Sequence, residues 1–340
     1  MDQRKLRILY AIIDDYVMTA VPVGSRTITR KYDVGGLSSA TVRNEMSDLE
    51  ALGYLDQPHT SAGRVPSAKA YRLYVESLLN SAPQLSTAEA SQLRGHLRSR
   101  ERQVGELIRR AAAVVSEATQ YTTVVAGPKV NDMRVRSVQI VPVSSDSALL
   151  ILVTDGAVFK DTTVGIDPDL TADDLYRISR LMTDQLAGRP VSDMGGSLDA
   201  LLGVLGEHTR LMQTVLNALG RIELDATTTR DIAVSGGTNI LHYPEYSDMR
   251  KAREFLNVLE TRDKLRALLT EAQSMSFTLR IGLETGMPEM EDCAVVTASY
   301  HASGDQMGTI GVIGPTRMRY GHVLSVLNYV GKSLSEMLNG

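Results

Sequence analysis

The sequence predicts a multidomain α+β protein, in which a helical N-terminal head precedes a larger region of mixed strands and helices. Two observations predict this class. Apolar residues recur at helical spacing through the first 80 residues, whereas β-branched runs begin only beyond Tyr121. At roughly 100 to 200 residues per domain, a chain of 340 residues is expected to hold two or three domains, each with its own core.

Composition argues against secreted and membrane proteins. The single Cys293 cannot form an intramolecular disulfide, which favours a reducing, cytoplasmic location. No stretch reaches the roughly 18 apolar residues of a membrane span, and Asp14 and Asp15 interrupt the apolar start that a signal peptide needs. The net charge of −4 argues weakly against a nonspecific polyanion binder. This net charge is compatible with a small DNA-reading head, because residues 20–75 carry seven basic and five acidic side chains.

Three predicted helices, with a tight turn before the third, open the chain. The first covers residues 4–19. Ser25 is the predicted N-cap of a second helix that runs to Tyr32. Ser38 lies at the start of a third helix, and Gly53 is placed where a left-handed residue ends it. This order predicts a helix-turn-helix arrangement.

A short hairpin is predicted after the third helix. Residues 54–55 begin a strand and residues 64–65 return it, with a polar tip of small residues at 57–63. Pro66 then opens another helix. A hairpin at this place is the wing of a winged helix-turn-helix, so residues 1–80 are predicted to form such a domain.

Residues 81–120 are predicted to form a linker helix that begins with a capping box at Ser86 and Glu89. Its arginines are Arg94, Arg98, Arg100, Arg102, Arg109 and Arg110. Two interpretations stay open here. The segment is either a solvated connector with one buried apolar stripe, or a helix whose arginines contact the DNA backbone beside the wing.

The rest of the chain is predicted to be one α+β sensor-like domain interrupted by a helical insertion. Its first part, 121–166, is predicted to form one sheet from strands at 122–125, 135–143, 148–153 and 157–164. The insertion, 167–232, holds two helices, and the second is apolar on too much of its circumference for a monomer.

The second part of that domain, 233–340, is predicted to alternate helix, strands and helix. Its elements are a helix at 247–272, strands at 277–283, 293–299 and 308–313, and a closing helix at 320–338.

The N-terminal end of the third helix is the predicted DNA-reading site, because in a helix-turn-helix those residues enter the major groove. They are Ser39, Thr41, Arg43 and Asn44. An arginine donates two bonds to guanine, and an asparagine pairs both amide groups with adenine. Glu45 is open to three interpretations: acceptance from cytosine, an intrahelical role, or a solvated position.

The predicted wing and the second helix supply further candidates for DNA contact. Gly63 is expected to let the wing backbone approach a phosphate closely. The second helix normally crosses the DNA backbone. The candidates are His59, Thr60, Ser61, Gly63 and Arg64 in the wing, and Arg26 and Arg30 in the second helix.

No enzyme, cofactor site or metal site is expected. The six histidines are scattered, and one cysteine cannot build a zinc cage. The Gly331-Lys332-Ser333 run is similar to the end of a phosphate-binding loop, but Val326 stands where that loop needs glycine.

Four stretches carry a resemblance to a known family: residues 37–46 (LSSATVRNEM), 49–55, 60–66 (TSAGRVP) and 308–320. On these residues the sequence resembles the heat-inducible transcription repressors of the HrcA family, nearly from end to end. The resemblance implies a homodimeric repressor with a winged-helix head, a GAF-like domain and an inserted dimerisation domain. It also implies an inverted-repeat operator, the CIRCE element, ahead of chaperone operons, and activity maintained by the chaperonin GroEL.

Two other functions remain as alternatives. A GAF-like domain could sense a small-molecule effector that shifts operator affinity, which requires an effector that binds one state better than the other. A cytosolic enzyme with a winged-helix appendage used for protein contacts is the third interpretation, and absence of DNA binding would be its signature.

Overall fold

The structure is a computed structural model that describes residues 1–59, 62–81, 84–97, 104–127, 134–154, 157–194, 214–215, 217–220, 232–269, 277–302 and 307–339.

The head contains helices followed by a short antiparallel pair. Its elements are α1 (Gln3–Thr19), α2 (Ser25–Lys31), α3 (Ser39–Ala51), β1 (Leu55–Asp56), β2 (Val65–Pro66) and α4 (Ala68–Ser81). Ile12, Ile28 and Leu49 are fully buried where α1, α2 and α3 meet. The helices and strands lie where the sequence predicts them.

Local capping fixes both ends of α3. Ser38 Oγ accepts the backbone N–H of Thr41 at 3.1 Å, which satisfies one of the unpaired donors at the helix start. At the other end Gly53 has a φ of +75°, and Tyr54 donates its N–H to the carbonyl of Leu49 at 2.9 Å. This is a Schellman ending, as the glycine predicts.

The predicted N-cap of α2 is wrong. The cap is Gly24, which makes no side-chain hydrogen bond, and Ser25 is the first helical residue. Ser25 is buried, and its hydroxyl lies 3.0 Å from the hydroxyl of Ser39. The serine therefore joins α2 to α3 instead of capping its own helix.

Two helices connect the head to the body: α5 (Thr87–Leu97) and α6 (Val104–Thr119). The predicted capping box is confirmed, because Ser86 N–H donates to Glu89 at 3.0 Å and Glu89 N–H donates back to Ser86 Oγ at 3.3 Å. Ile108, Ala111 and Val115 of α6 are buried. Arg98, Arg100 and Arg102 lie outside the described residues.

The body elements in chain order are β3 (Thr122–Ala126), β4 (Val135–Pro142), β5 (Ser147–Thr154), β6 (Ala157–Gly165), α7 (Ala172–Leu186), β7 (Ile232–Ser235), α8 (Met249–Glu260), α9 (Arg262–Leu269), β8 (Thr278–Ile281), β9 (Cys293–His301), β10 (Met307–Pro315) and α10 (Tyr320–Asn339). The closing helix and the three strands before it confirm the sequence prediction. The predicted single helix at 247–272 is wrong, since α8 ends at Glu260 and Thr261 has extended backbone.

A five-stranded antiparallel sheet in the order β7-β3-β10-β9-β8 forms the centre of the body. Alternate residues of its strands serve two apolar clusters. Val125, Val296 and Val312 pack with α6 and α10, whereas Val295 and Ile313 pack with α8 and α9. The sheet is therefore covered by helices on both faces.

The prediction of one sheet from residues 122–164 is wrong. β3 lies inside the five-stranded sheet, whereas β4, β5 and β6 form a separate three-stranded antiparallel sheet. Leu150 and Leu152 of that sheet pack in one apolar cluster with Ile178 and Met182 of α7. The predicted limits of 121–166 and 167–232 place β4–β6 in a different domain from α7, the helix that covers them. Runs of strand-forming residues do not show which elements a strand packs against.

The predicted second helix of the insertion lies mostly outside the described residues. Residues 214–215 and 217–220 are helical, and Val215 and Leu219 are buried against the three-stranded sheet and α7.

The outer edge of β4 has hydrogen-bond partners at Val135, Val138 and Ile140. Val135 exchanges backbone hydrogen bonds of 2.8 Å with Arg189 and Gly188. Thr183 Oγ1 of α7 accepts the N–H of Val138 at 2.9 Å and donates to the same residue's carbonyl at 3.1 Å. Ser179 Oγ accepts the N–H of Ile140 at 2.9 Å. Two hydroxyl groups on one helix thus take the place of a neighbouring strand.

Candidate nucleic-acid interface

Helix α3 buries one face and exposes the other. Val42, Glu45, Met46 and Leu49 are buried. The residues exposed at helical spacing on the opposite side include Ala40, Arg43, Asn44 and Ser47. Sequence reasoning included Arg43 and Asn44 but missed Ala40 and Ser47, which the same helical spacing would have found.

Ser39 and Thr41 have partners inside the head. Ser39 is bonded to Ser25, as described above, and Thr41 Oγ1 lies 2.9 Å from the hydroxyl of the cap residue Ser38. Both residues are partly buried. Their hydroxyls position the start of α3, whereas Arg43 and Asn44 are presented outward.

Three exposed arginines in α2 and α3 form no ion pair with any described residue: Arg26, Arg30 and Arg43. Neighbouring cations are engaged. Lys31 lies 2.8 Å from the buried carboxylate of Asp15, and Lys69 donates to the carbonyl of Leu52 at 2.9 Å. Positive charge that the fold leaves unneutralised suits contact with phosphate.

Glu45 faces the head core and fits none of the predicted alternatives. It is buried, and its carboxylate lies 2.6 Å from Arg4 and 2.8 Å from Lys5 of α1. Lys5 also pairs with Asp48 at 2.9 Å. Hydrogen bonds to Glu45 and Asp48 raise the pKa of Lys5 above its ordinary value. An ion-pair cluster between α1 and α3 therefore sets the position of the exposed face of α3.

Arg64 and Gly63 have structural neighbours in the head. Arg64 donates from Nε to Glu50 Oε2 at 2.9 Å, and its Nη2 lies 2.7 Å from the same oxygen. A Cβ on Gly63 would lie 2.5 Å from the backbone of Val23, and Val23 and Arg64 exchange backbone hydrogen bonds of 2.8 Å. The glycine thus permits contact with the strand-like segment at Val23.

The tip of the hairpin is only partly described. His59 is exposed, and its carbonyl accepts the N–H of Ala62 at 2.9 Å. Thr60 and Ser61 lie outside the described residues, so their predicted role stays a prediction.

Two described arginines of the connector have partners within the protein. Arg94 Nε donates to the hydroxyl of Tyr329 in α10 at 3.3 Å, and Arg109 pairs with Glu106 of its own helix. Together with the buried stripe of α6, these contacts favour the connector interpretation over contact with DNA.

Among the described residues, no group of three His, Cys, Asp or Glu side chains is arranged to hold a metal ion. The described helices also include none with the length and hydropathy that spanning a bilayer requires.

Comparison with known proteins identifies the family. The sequence profile described as "HrcA protein C terminal domain" matches residues 105–324, which is more than half of the chain. The chain belongs to the HrcA family. The "Heat-inducible transcription repressor HrcA" of Clostridium tetani (strain Massachusetts / E88) is 39% identical over 342 residues, covering 99% of this chain and 96% of the relative.

Further similarities to the HrcA family extend over the head. The "Heat-inducible transcription repressor HrcA" of Clostridium perfringens (strain 13 / Type A) is 38% identical and covers 99% of both chains. A crystal structure of a protein described as hypothetical matches with a TM-score of 0.74 at 26% identity, covering 100% of this chain and 99% of that one. The HrcA relatives are named heat-inducible transcription repressors, and the match includes α1 to α4.

Proposed function

We propose that this HrcA family member is a homodimeric repressor of heat-shock chaperone operons that binds an inverted-repeat operator of the CIRCE type. Two winged-helix heads would each take one half-site, so that the symmetry of the protein matches that of the DNA. Heat inactivates the dimer, and the chaperonin GroEL maintains the active form. Such a repressor acts in the cytoplasm, where the operator is.

The exposed face of α3 carries this proposal. Arg43 and Asn44 are the residue types that read guanine and adenine edges, and both are exposed, with no side-chain hydrogen bond or ion pair to any described residue. Arg26 and Arg30 lie on the preceding helix, which suits contact with phosphates. The hairpin β1–β2 follows α3 as a wing would.

The division of the body into two sheets supports new limits for the inserted domain. The five-stranded sheet, with helices on both faces, fits the GAF-like domain. β4–β6 share an apolar cluster with α7 and with Val215 and Leu219. We therefore place the inserted dimerisation domain between β3 and β7, where it includes the three-stranded sheet.

Titration onto two labelled duplexes at one fixed salt concentration tests the proposal, because affinity for DNA depends steeply on salt. One duplex carries the inverted repeat and the other a scrambled sequence of equal length. We expect strong preference for the repeat. Arg43→Ala should lower affinity for the repeat by about ten-fold to a hundred-fold and relax that preference.

Two further variants make the test specific. Arg30→Ala should weaken binding to both duplexes alike and lower the salt slope by about one. Arg250→Ala, which removes an exposed positive charge from the body, should leave both affinities unchanged. Equal, weak binding of the unaltered chain to both duplexes would refute operator recognition. Adding GroEL should raise the active fraction after mild heating.

A second candidate function is regulation by a small-molecule effector. A cleft of about 650 Å³ lies between α5, α6 and α10. Its polar lining includes His96, Glu117, Arg319 and His322. A thermal-shift screen against metabolites tests it: a ligand that stabilises the chain and shifts operator affinity supports the sensor, and Arg319→Ala should abolish that shift.

A further inference from the structure

A buried arginine joins the head to the body. Arg317 follows β10, and the residue is only 8% exposed. Its Nε donates to Glu245 Oε1 at 2.5 Å, and Nη2 donates to Oε2 of the same carboxylate at 3.2 Å. The remaining amine, Nη1, donates to the carbonyl of Val17 at 3.1 Å. One guanidinium therefore bonds a body carboxylate and a head helix at the same time.

The contact to Val17 lies at the C-terminal end of α1. Carbonyls in the last turn of a helix have no intrahelical donor, and that end carries partial negative charge. The guanidinium supplies both the donor and the positive charge. The helix then ends at Ala20 in the left-handed region, with a φ of +55°. Arg317 thus caps α1 from the body.

The surrounding contacts between head and body are mostly apolar and less directional. The rings of Tyr71 in α4 and Tyr320 in α10 lie with their centroids 5.6 Å apart, and both are almost fully buried. An exposed ion pair between Arg72 and Glu284 lies at the margin. Apolar burial holds the two parts together but specifies orientation weakly, whereas the planar guanidinium fork has fixed directions.

Helix α1, which Arg317 caps, is also bonded to α3. Lys5 and Arg4 near its start bind Glu45 on the buried face of α3. A displacement of α1 relative to the body would therefore move the exposed face of α3, which carries Arg43.

We infer that Arg317 is a positioning residue that fixes the reading head on the body and so sets which separation of two half-sites the dimer accepts. This inference rests on the proposed function, because only a dimer on two half-sites reads a separation. A single head can bind a single half-site without the contacts that Arg317 makes between head and body.

The test compares the unaltered full chain with Arg317→Gln, Arg317→Lys and Glu245→Gln. Arg250→Gln is the matched control, because this arginine is exposed on the body and forms no ion pair with any described residue. Each protein is titrated onto a duplex with one half-site and onto inverted repeats whose spacer varies in steps of one base pair. Circular dichroism checks that each variant is folded.

We expect the unaltered chain and Arg250→Gln to prefer one spacer by at least about ten-fold. Arg317→Gln should bind the single half-site with unchanged affinity but lose most of that preference, to less than about three-fold. Glu245→Gln and Arg317→Lys should lie between these. A spacer preference in Arg317→Gln equal to that of the unaltered chain would overturn the inference.

A measurement without DNA separates this inference from the proposed function. Spin labels on cysteines introduced at Ala51 in α3 and Glu336 in α10, both exposed in the structure, report the distance from head to body. Arg317→Gln should broaden the distance distribution, whereas Arg250→Gln should not. An unchanged distribution would refute the positioning role of Arg317, even if the chain binds its operator. Broadening in a chain that binds no repeat would refute only the operator function.

Discussion

Arg64 of the hairpin is bonded to Glu50 in the last turn of α3, with Nε 2.9 Å from Oε2. The side chain of Arg64 is only 17% exposed and that of Glu50 is 35% exposed. The pair links the base of the predicted wing to the end of the helix that precedes it. Its geometry gives Arg64 a structural role that its position in the sequence did not indicate.

The first prediction concerns this pair. Arg64→Ala should lower the free energy of unfolding by about 1 kcal/mol, because it removes charge-assisted hydrogen bonds from a partly buried carboxylate. Urea denaturation followed by circular dichroism measures the change. Arg30→Ala, which removes an exposed arginine without an ion pair among the described residues, is the control and should leave stability within about 0.5 kcal/mol. Normal stability of Arg64→Ala with a large loss of operator affinity would instead assign Arg64 to DNA.

The second prediction concerns the outer edge of β4. Thr183→Val keeps the shape of the side chain but leaves the N–H and carbonyl of Val138 without their partner. We expect a loss of about 1–3 kcal/mol in stability and faster aggregation on heating, because an unpaired strand edge pairs with other chains. Light scattering during a temperature ramp measures this. Gln185→Ala, exposed on the same helix, should aggregate like the unaltered chain.

A third prediction concerns Gly308, which pairs across the sheet with Tyr300. A Cβ on Gly308 would overlap the tyrosine ring, which is fully buried and whose hydroxyl donates to the carbonyl of Ala126 at 3.0 Å. Gly308→Ala should therefore destabilise the chain by about 1–3 kcal/mol.

The control for that substitution is Gly95→Ala in helix α5, where the added Cβ meets open space. It should stabilise by about 0.5–1 kcal/mol, because alanine favours the helix. Differential scanning calorimetry on the two variants should give shifts in the midpoint temperature of opposite sign. A neutral Gly308→Ala would mean that the ring moves aside at little cost.

The fourth prediction uses the buried thiol of Cys293. Burial raises its pKa from 9.0 to about 12, against the opposing hydrogen bond from Tyr246. The unfolded thiol ionises first as the pH rises, so the stability that this group contributes is complete below pH 9 and is lost as the pH approaches 12. The unfolding free energy of the unaltered chain should therefore fall more steeply over this range than that of Cys293→Ala. Denaturant titrations at several pH values check the difference, and equal slopes would contradict it.

Local signals explain why the helices and strands of the head could be predicted. Ser38 and Gly53 act on their own helix, so the limits of α3 follow from a few adjacent residues. Contacts across the head could not be predicted in the same way. The partners of Ser25, Glu45 and Arg64 lie on other elements, and their side-chain types alone do not say whether they face solvent, DNA or another helix.

The body was harder because strand runs do not encode their neighbours. The runs at β3 and at β4–β6 look alike in composition, yet they belong to different sheets. Helical periodicity placed α10, and β-branched runs placed β8, β9 and β10. The exposed stripe of α3 was half predicted: Arg43 and Asn44 follow from the helix-turn-helix order, whereas Ala40 and Ser47 needed the observed burial.

The strand order of the body has a consequence for synthesis. β3 lies between β7 and β10, so its two edges pair with residues 232–235 and 307–315, which come much later in the chain. On the ribosome the head is complete early, while the strand edge of β3 that pairs with β10 stays open until β10, the last strand in the chain order, emerges. Pairing over such long sequence separations is slow and leaves apolar strands open to aggregation. The body can therefore complete its central sheet only after the part that would read DNA has been synthesised.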